Sequence, residues 1–205
     1  EAAKLVYTKE LVDLIRDNNL PRECVPTEKL KEPEVWGALL EKMPPHALLR
    51  NLGNLSKVGL LKPLSDASSL VVKKLSDVDS LKRKRVHPVS VLVALKVYAQ
   101  GHGMKGDGKW TPVPAVVDAL NEAFYGCFDG VIPTGKRILY GVDMSGSMLG
   151  SAFRGWNLPD IANTPLHPCE GAAAMTMASL RAESNTFVMG FADKFKNLGI
   201  TSKMR

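Results

Sequence analysis

Asp143, Ser145 and Ser147 form a D-x-S-x-S motif directly after an apolar run from Ile138 to Val142, and a Gly/Ser-rich turn follows. One carboxylate and two hydroxyls on a tight turn can face a single point. Hard oxygen donors of this kind suit a divalent cation. Mg²⁺ is the first choice, because it keeps several waters and takes few protein ligands. The place is also the expected one, since ligands of open α/β sheets bind outside the carboxyl ends of strands. The bland reading is an Asp/Ser turn that caps the strand end and the next helix.

Catalytic readings fail on residue type and spacing. A D-x-D-x-T phosphatase uses its first Asp as nucleophile and its second as general acid, and Ser145 cannot fill the second role. Gly146-Ser147-Met148-Leu149-Gly150 lacks the spacing of a nucleophile elbow. His46, His87, His102 and His167 form no H-E-x-x-H or other close pair, so each is expected to be structural or at the surface. No catalytic residue is assigned, and the chain is not expected to be an enzyme.

A second feature is charge. The 205 residues carry 27 Lys+Arg against 21 Asp+Glu, and the excess is local. Between Arg50 and Lys109 twelve basic residues face four acidic ones, giving +8 there and −2 elsewhere. Such a stretch makes a positive field that attracts phosphates and loses its hold as salt rises. A solvated face neutralised by another part of a larger protein is the alternative. The rest of the composition is that of a globular protein, at 45% hydrophobic and 23% charged, which excludes a disordered tail or a disulfide scaffold. No apolar run approaches the roughly 18 residues of a membrane span. Glu1-Ala2-Ala3-Lys4 leads into an amphipathic segment rather than a signal peptide. Cys24, Cys127 and Cys169 are far apart and odd in number, which suits a reducing compartment, the cytosol by default.

These residues need elements to hold them. The first 130 residues read as helices joined by short turns. Pro33 opens one with Val35, Trp36, Leu39, Leu40 and Met43 on a single face. Pro44-Pro45 ends it and starts the next, where Leu48, Leu49, Leu52 and Leu55 share a face. Pro88 opens a third, Val89 to Gln100, with Gly101 at its C′ position. Thr111-Pro112 predicts the start of a fourth, with Val113, Val116, Val117, Leu120, Phe124 and Phe128 inward. Paired helices of this length fit either a helical-repeat solenoid or a compact bundle. After Pro133-Thr134-Gly135 the pattern changes. A strand from Arg137 to Asp143, a loop from Met148 to Pro168, a helix from Cys169 to Glu183 and a strand from Asn185 to Phe191 make a βαβ unit, the start of a parallel α/β domain. Two strands and one helix cannot cover both faces of such a sheet, and the chain begins without Met. A fragment of a longer protein is therefore expected.

Taken in order, several motifs resemble the Ro autoantigen family. They are Glu34-Val35-Trp36, Ala47-Leu48-Leu49-Arg50-Asn51-Leu52-Gly53, His87-Pro88, Gly101-His102-Gly103-Met104, Lys109-Trp110, Ala123-Phe124-Tyr125 and Pro133-Thr134-Gly135-Lys136-Arg137. Members combine a ring of HEAT-like helical repeats, the TROVE module, with a von Willebrand factor A domain. The resemblance implies an α-helical HEAT-like repeat over residues 1–130. It implies the start of an α/β, Rossmann-like A domain over 131–205. It further implies an RNA-binding protein of small ribonucleoproteins that takes Y RNAs and the single-stranded ends of misfolded RNAs. On this reading Arg50, Lys57, Lys82, Arg83, Lys84, Arg85, Lys105 and Lys109 contact phosphates. His87 and His102 either meet bases or serve local turns. Lys82 to Arg85 read equally as RNA contact, nuclear localisation patch or solvated helix end. Asp143, Ser145 and Ser147 would be the first cluster of a metal-ion-dependent adhesion site, whose Thr and Asp come from later loops, so the site in this chain is expected to be partial. The loop from Ser151 to Pro168 looks longer than in vertebrate relatives. The expected state is a monomer, located in the cytoplasm with the nucleus as a second location. The competing reading is a protein-interaction module, in which the ion binds a partner's carboxylate and the helices are scaffold.

Overall fold

The computed structural model describes residues 2–103, 108–152 and 165–204. Prolines set the helix starts. Helices α2 (Pro33–Lys42), α3 (Pro45–Lys57), α6 (Pro88–Ala99), α7 (Pro114–Gly126) and α8 (Pro168–Ala182) each carry Pro in the first turn, where its missing N–H costs nothing. Three more, α1 (Ala2–Asn18), α4 (Asp66–Ser76) and α5 (Val78–Arg83), complete the α-helices among the described residues. The last two start on side-chain caps. Ser65 accepts from the Ser68 N–H at 3.2 Å and Asp77 from the Ser80 N–H at 2.9 Å. Among the described residues, no helix is long and apolar enough to cross a membrane.

The apolar faces predicted for α2 and α3 are inward, with Val35, Trp36, Leu39, Leu40, Leu48, Leu49, Leu52 and Leu55 all buried. Each such side chain contributes roughly 1.5–3 kcal/mol on burial. Helix α6 is apolar on every side because it is wedged between α3, α7 and α8. Its Tyr98 is fully buried, and the hydroxyl is satisfied by the Ser56 hydroxyl at 2.9 Å and the Val113 N–H at 3.1 Å. Gly101, at φ +76°, takes the left-handed position after α6, as predicted.

That second bond to Tyr98 explains a correction. The fourth predicted helix does not start at Thr111-Pro112. The chain stays extended through Val113, held by the Tyr98 hydroxyl, and α7 begins at Pro114. Of the predicted inward set, Val113, Val116, Leu120, Phe124 and Phe128 are buried, and Val117 is half-buried against the core.

Strands β1 (Ile138–Asp143) and β2 (Thr186–Phe191) pair in parallel, with Ile138 opposite Thr186 and Asp143 opposite Phe191. The expectation of two strands needs amending. A third, β3 (Phe195–Asn197), turns back antiparallel on β2, so the sheet is mixed and ordered β1-β2-β3. The start of the predicted loop is also revised, because Gly146–Ala152 forms a 3-10 turn. Residues 153–164 of that loop lie outside the described residues. Helix α8 places Ala174 and Ala178 in the same buried cluster as the other helices. The joint before β1 is fixed by Glu183, buried at the end of α8. Its carboxylate accepts the Thr134 N–H at 2.5 Å and the Gly135 N–H at 3.1 Å.

Candidate nucleic-acid interface and cation turn

The predicted cations do not scatter. In α3 the exposed residues are His46, Arg50, Asn54 and Lys57, at i, i+4, i+8 and i+11, opposite the buried leucines. This spacing makes one stripe about 16 Å long at 1.5 Å per residue, and α3 holds no acidic residue. Both ends continue into basic structure. At one end His46 Nε2 donates to the Lys84 carbonyl at 3.1 Å, bringing the turn after α5 alongside. At the other, a Cβ on Gly108 would lie 3.0 Å from Lys57 Nζ, so that ammonium sits beside the antiparallel bridge in which His102 pairs with Lys109. Lys84, Arg85, His46, Arg50, Lys57, His102 and Lys109 therefore follow one ridge. Residues 104–107, and with them Lys105, lie outside the described residues.

Arg85 stands out within this ridge. It adopts φ +53°, a left-handed conformation that glycine takes freely and that costs an L side chain roughly 1–2 kcal/mol. Its N–H donates to the Lys82 carbonyl at 2.8 Å and closes α5, a job glycine would do at lower cost. Asn19 and Leu64 take the same left-handed conformation, which here marks a tight turn carrying an exposed arginine. Arg83 and Lys84 beside it are exposed as well.

Other cations of the basic stretch are diverted. Lys82 reaches Asp129 at 3.6 Å, a surface pair worth under about 1 kcal/mol, and stands at the margin of the ridge. Lys96 pairs with Glu170 across α6 and α8. Partial burial lowers the pKa of Lys74, whose ammonium donates to the Met43 carbonyl at 3.4 Å. The histidines serve local structure. His87 Nδ1 caps α6 by accepting the Val89 N–H at 3.2 Å, His167 caps α8, and His102 Nδ1 donates to the Gly103 carbonyl at 3.1 Å.

Sequence reasoning missed His46 and Asn54. Their signal was present in the polar i, i+4 rhythm opposite the leucines of α3, which was read for the buried face and not for the exposed one.

The D-x-S-x-S turn lies at the carboxyl end of β1, as predicted. Asp143 Oδ1 accepts the Ser145 N–H at 2.8 Å, and the Ser145 and Ser147 hydroxyl oxygens are 2.9 Å apart. The Ser145 N–H, followed by its hydroxyl, holds the Asp143 carboxyl below the ordinary range, so it is charged at neutral pH. A hydroxyl separation of 2.9 Å is also the edge of an octahedron with bonds of about 2.0–2.1 Å, the Mg²⁺ geometry. The three side chains thus fit a divalent cation that takes its other ligands from water or elsewhere. Among the described residues, no three His, Cys, Asp or Glu side chains converge to hold a metal.

The molecule is therefore an α-helical stack with a basic ridge, continued by a small α/β unit with an acid–serine turn. Residues 18–97 match the TROVE domain family. The chain is 44% identical over 192 residues to RNA-binding protein RO60 of Deinococcus radiodurans, a match covering 93% of this chain and 34% of that protein. It is 36% identical to RNA-binding protein RO60 of Caenorhabditis elegans, across 93% of this chain and 28% of the relative. The crystal structure of the Deinococcus radiodurans RO (RSR) protein superposes with a TM-score of 0.84 at 43% identity, covering 96% of this chain and 38% of that one. The chain thus carries a TROVE domain match and is homologous to the RO60 proteins of the Ro family, and it spans about a third of the length of the curated relatives it matches.

Proposed function

We propose that this chain binds RNA along the α3 ridge, with Arg50, Lys57, Lys84, Arg85 and Lys109 on phosphates and Arg83, Lys82 and Lys105 adding to the field. The single observation behind this is the exposed stripe of α3, free of acidic residues and continued at both ends by basic turns. Contacts of this type fix position and carry no sequence code. The names of the Deinococcus and Caenorhabditis relatives agree with it. The finer reading is that residues 1–130 form part of a HEAT-like ring and 131–205 part of a von Willebrand factor A-type domain. Small non-coding RNAs of the Y class and the single-stranded ends of misfolded RNAs would be the ligands, in a cytoplasmic monomer.

Asp143, Ser145 and Ser147 are proposed to hold a divalent cation, Mg²⁺ by preference, supported by the charged carboxylate and the spacing of the hydroxyls. The ion would supply a Lewis-acidic contact for a protein partner's carboxylate. This second role leaves the RNA ridge unchanged.

The test is fluorescence anisotropy with a labelled small RNA that carries a single-stranded 3′ end. Arg50→Ala with Lys57→Ala should weaken binding to every RNA tried by a similar factor. A folded chain that binds no RNA, or a double variant that binds as well as wild type, would reduce the ridge to a solvated face.

A further inference from the structure

Beside the ridge, between α3, α6 and the paired segments 101–103 and 108–110, lies a cleft of about 160 Å³ lined by Arg50, Gly53, Asn54, Tyr98, Gly103 and Trp110. Its aromatic wall is rigid. The Trp110 indole N–H donates to the Tyr98 carbonyl at 3.0 Å, and the two rings stack with centroids 6.3 Å apart. The Trp110 ring also lies against the Gly53 backbone, where a Cβ would come within 2.7 Å of it.

The polar group at the rim is held in one orientation. Buried Asn51 must turn its amide nitrogen to the Ala47 carbonyl, at 2.9 Å, because that partner can only accept. Its oxygen is thereby committed to accepting from Asn54 Nδ2, at 3.1 Å. The Asn54 amide is fixed in turn, and it presents its carbonyl oxygen and its second N–H to solvent. An acceptor and a donor side by side match the paired donor and acceptor on the edge of a nucleobase.

We infer that this cleft is a base-binding subsite that takes one pyrimidine of a single-stranded RNA whose phosphates lie on the ridge. Volume sets the size class. A cavity of about 150 Å³ holds one benzene ring, so a single six-membered ring fits here and a purine does not fit whole. Arg50, common to ridge and cleft, holds the adjoining phosphate, and Asn54 pairs with the base edge. The inference rests on the RNA reading above and adds to it a ligand class and a residue that selects it.

The experiment uses the full 205-residue chain and labelled hexamers of uridylate, adenylate and abasic ribose-phosphate. Uridylate should bind about tenfold more tightly than the other two, the effect of one good bidentate base contact. Asn54→Leu should erase that preference, bringing uridylate down to the level of the abasic hexamer, while Arg50→Ala weakens all three. Asn54 is exposed, so its replacement leaves the core intact. Equal affinities for the three hexamers, with Arg50→Ala still weakening them, would overturn the subsite and spare the ridge. No binding of any hexamer would overturn both.

Discussion

Replacing Gly53 by Ala tests how tightly Trp110 packs on α3. In an open helix interior, Gly→Ala stabilises by about 1 kcal/mol, because glycine gives up more backbone freedom on folding. Gly37 in α2 supplies that reference, since a Cβ there meets nothing within 4 Å. At Gly53 the added carbon would lie 2.7, 2.9 and 3.0 Å from three atoms of the Trp110 ring. Carbon atoms rest at about 3.5–4.0 Å, so the indole must retreat by about 0.5–1 Å. It is anchored by its side-chain bond to Tyr98 and by its backbone N–H to the Gly101 carbonyl at 2.8 Å, so retreat strains both. Overpacking costs about 1–3 kcal/mol and a weakened hydrogen bond about 0.5–1.5, against the gain of about 1. Gly53→Ala should therefore destabilise by about 1–3 kcal/mol, while Gly37→Ala stabilises by about 1. Urea unfolding followed by circular dichroism reads both. Equal stabilisation by the two substitutions would show that Trp110 does not pack on α3 as described.

Arg85→Gly should raise stability by about 1–2 kcal/mol by relieving the left-handed arginine, yet weaken RNA binding; unchanged affinity would assign Arg85 to the helix end alone. Glu183 is held below its ordinary pKa first by its bond to the Thr134 backbone. A depressed carboxylate contributes stability above its unfolded value of about 4.3, and that stability is lost as pH falls through the folded value. Glu183→Gln should flatten the acid limb of the urea midpoint profile relative to wild type, and parallel profiles would contradict the clamp on the 134–135 joint. Added Mg²⁺ should raise the melting temperature in a chelator-reversible way, worth about 1.4 kcal/mol at ten times Kd. Asp143→Asn should abolish the rise, and a rise that survives the substitution would place the ion elsewhere.

Much of this was legible because it rests on strong local signals. The leucine face of α3 and the prolines at Pro33, Pro45 and Pro88 are short-range patterns, and tertiary packing had only to accept them. Helices α4 and α5 gave weaker signals, since their starts depend on Ser65 and Asp77 caps within a Ser- and Lys-rich stretch. The true start of α7 was hidden because the Tyr98 hydroxyl decides it, fifteen residues away. β3 was missed because three exposed residues carry no periodicity and are set by pairing with β2. At the site, the basic residues were visible one by one, but their order along a ridge was not. Pairings such as His46 with Lys84 and Lys57 over Gly108 join segments far apart in sequence. The exposed place of Asn54 was in the i, i+4 rhythm of α3, but the fixed orientation of its amide was not, because Asn51 and Ala47 set it.

The central claim is that one ridge, and not general basicity, carries the RNA contact. Its most direct test is the salt dependence of RNA affinity for Arg50, Lys57, Lys84 and Lys109 all changed to Ala, beside a charge-matched control changing the exposed Lys136, Lys194, Lys196 and Lys203 to Ala. Each phosphate contact to a single strand contributes about 0.7 to the slope of log K against log[salt], so the ridge variant should lose about 3 while the control keeps the wild-type slope. Equal losses in the two variants, or a ridge variant with the wild-type slope, would contradict the account.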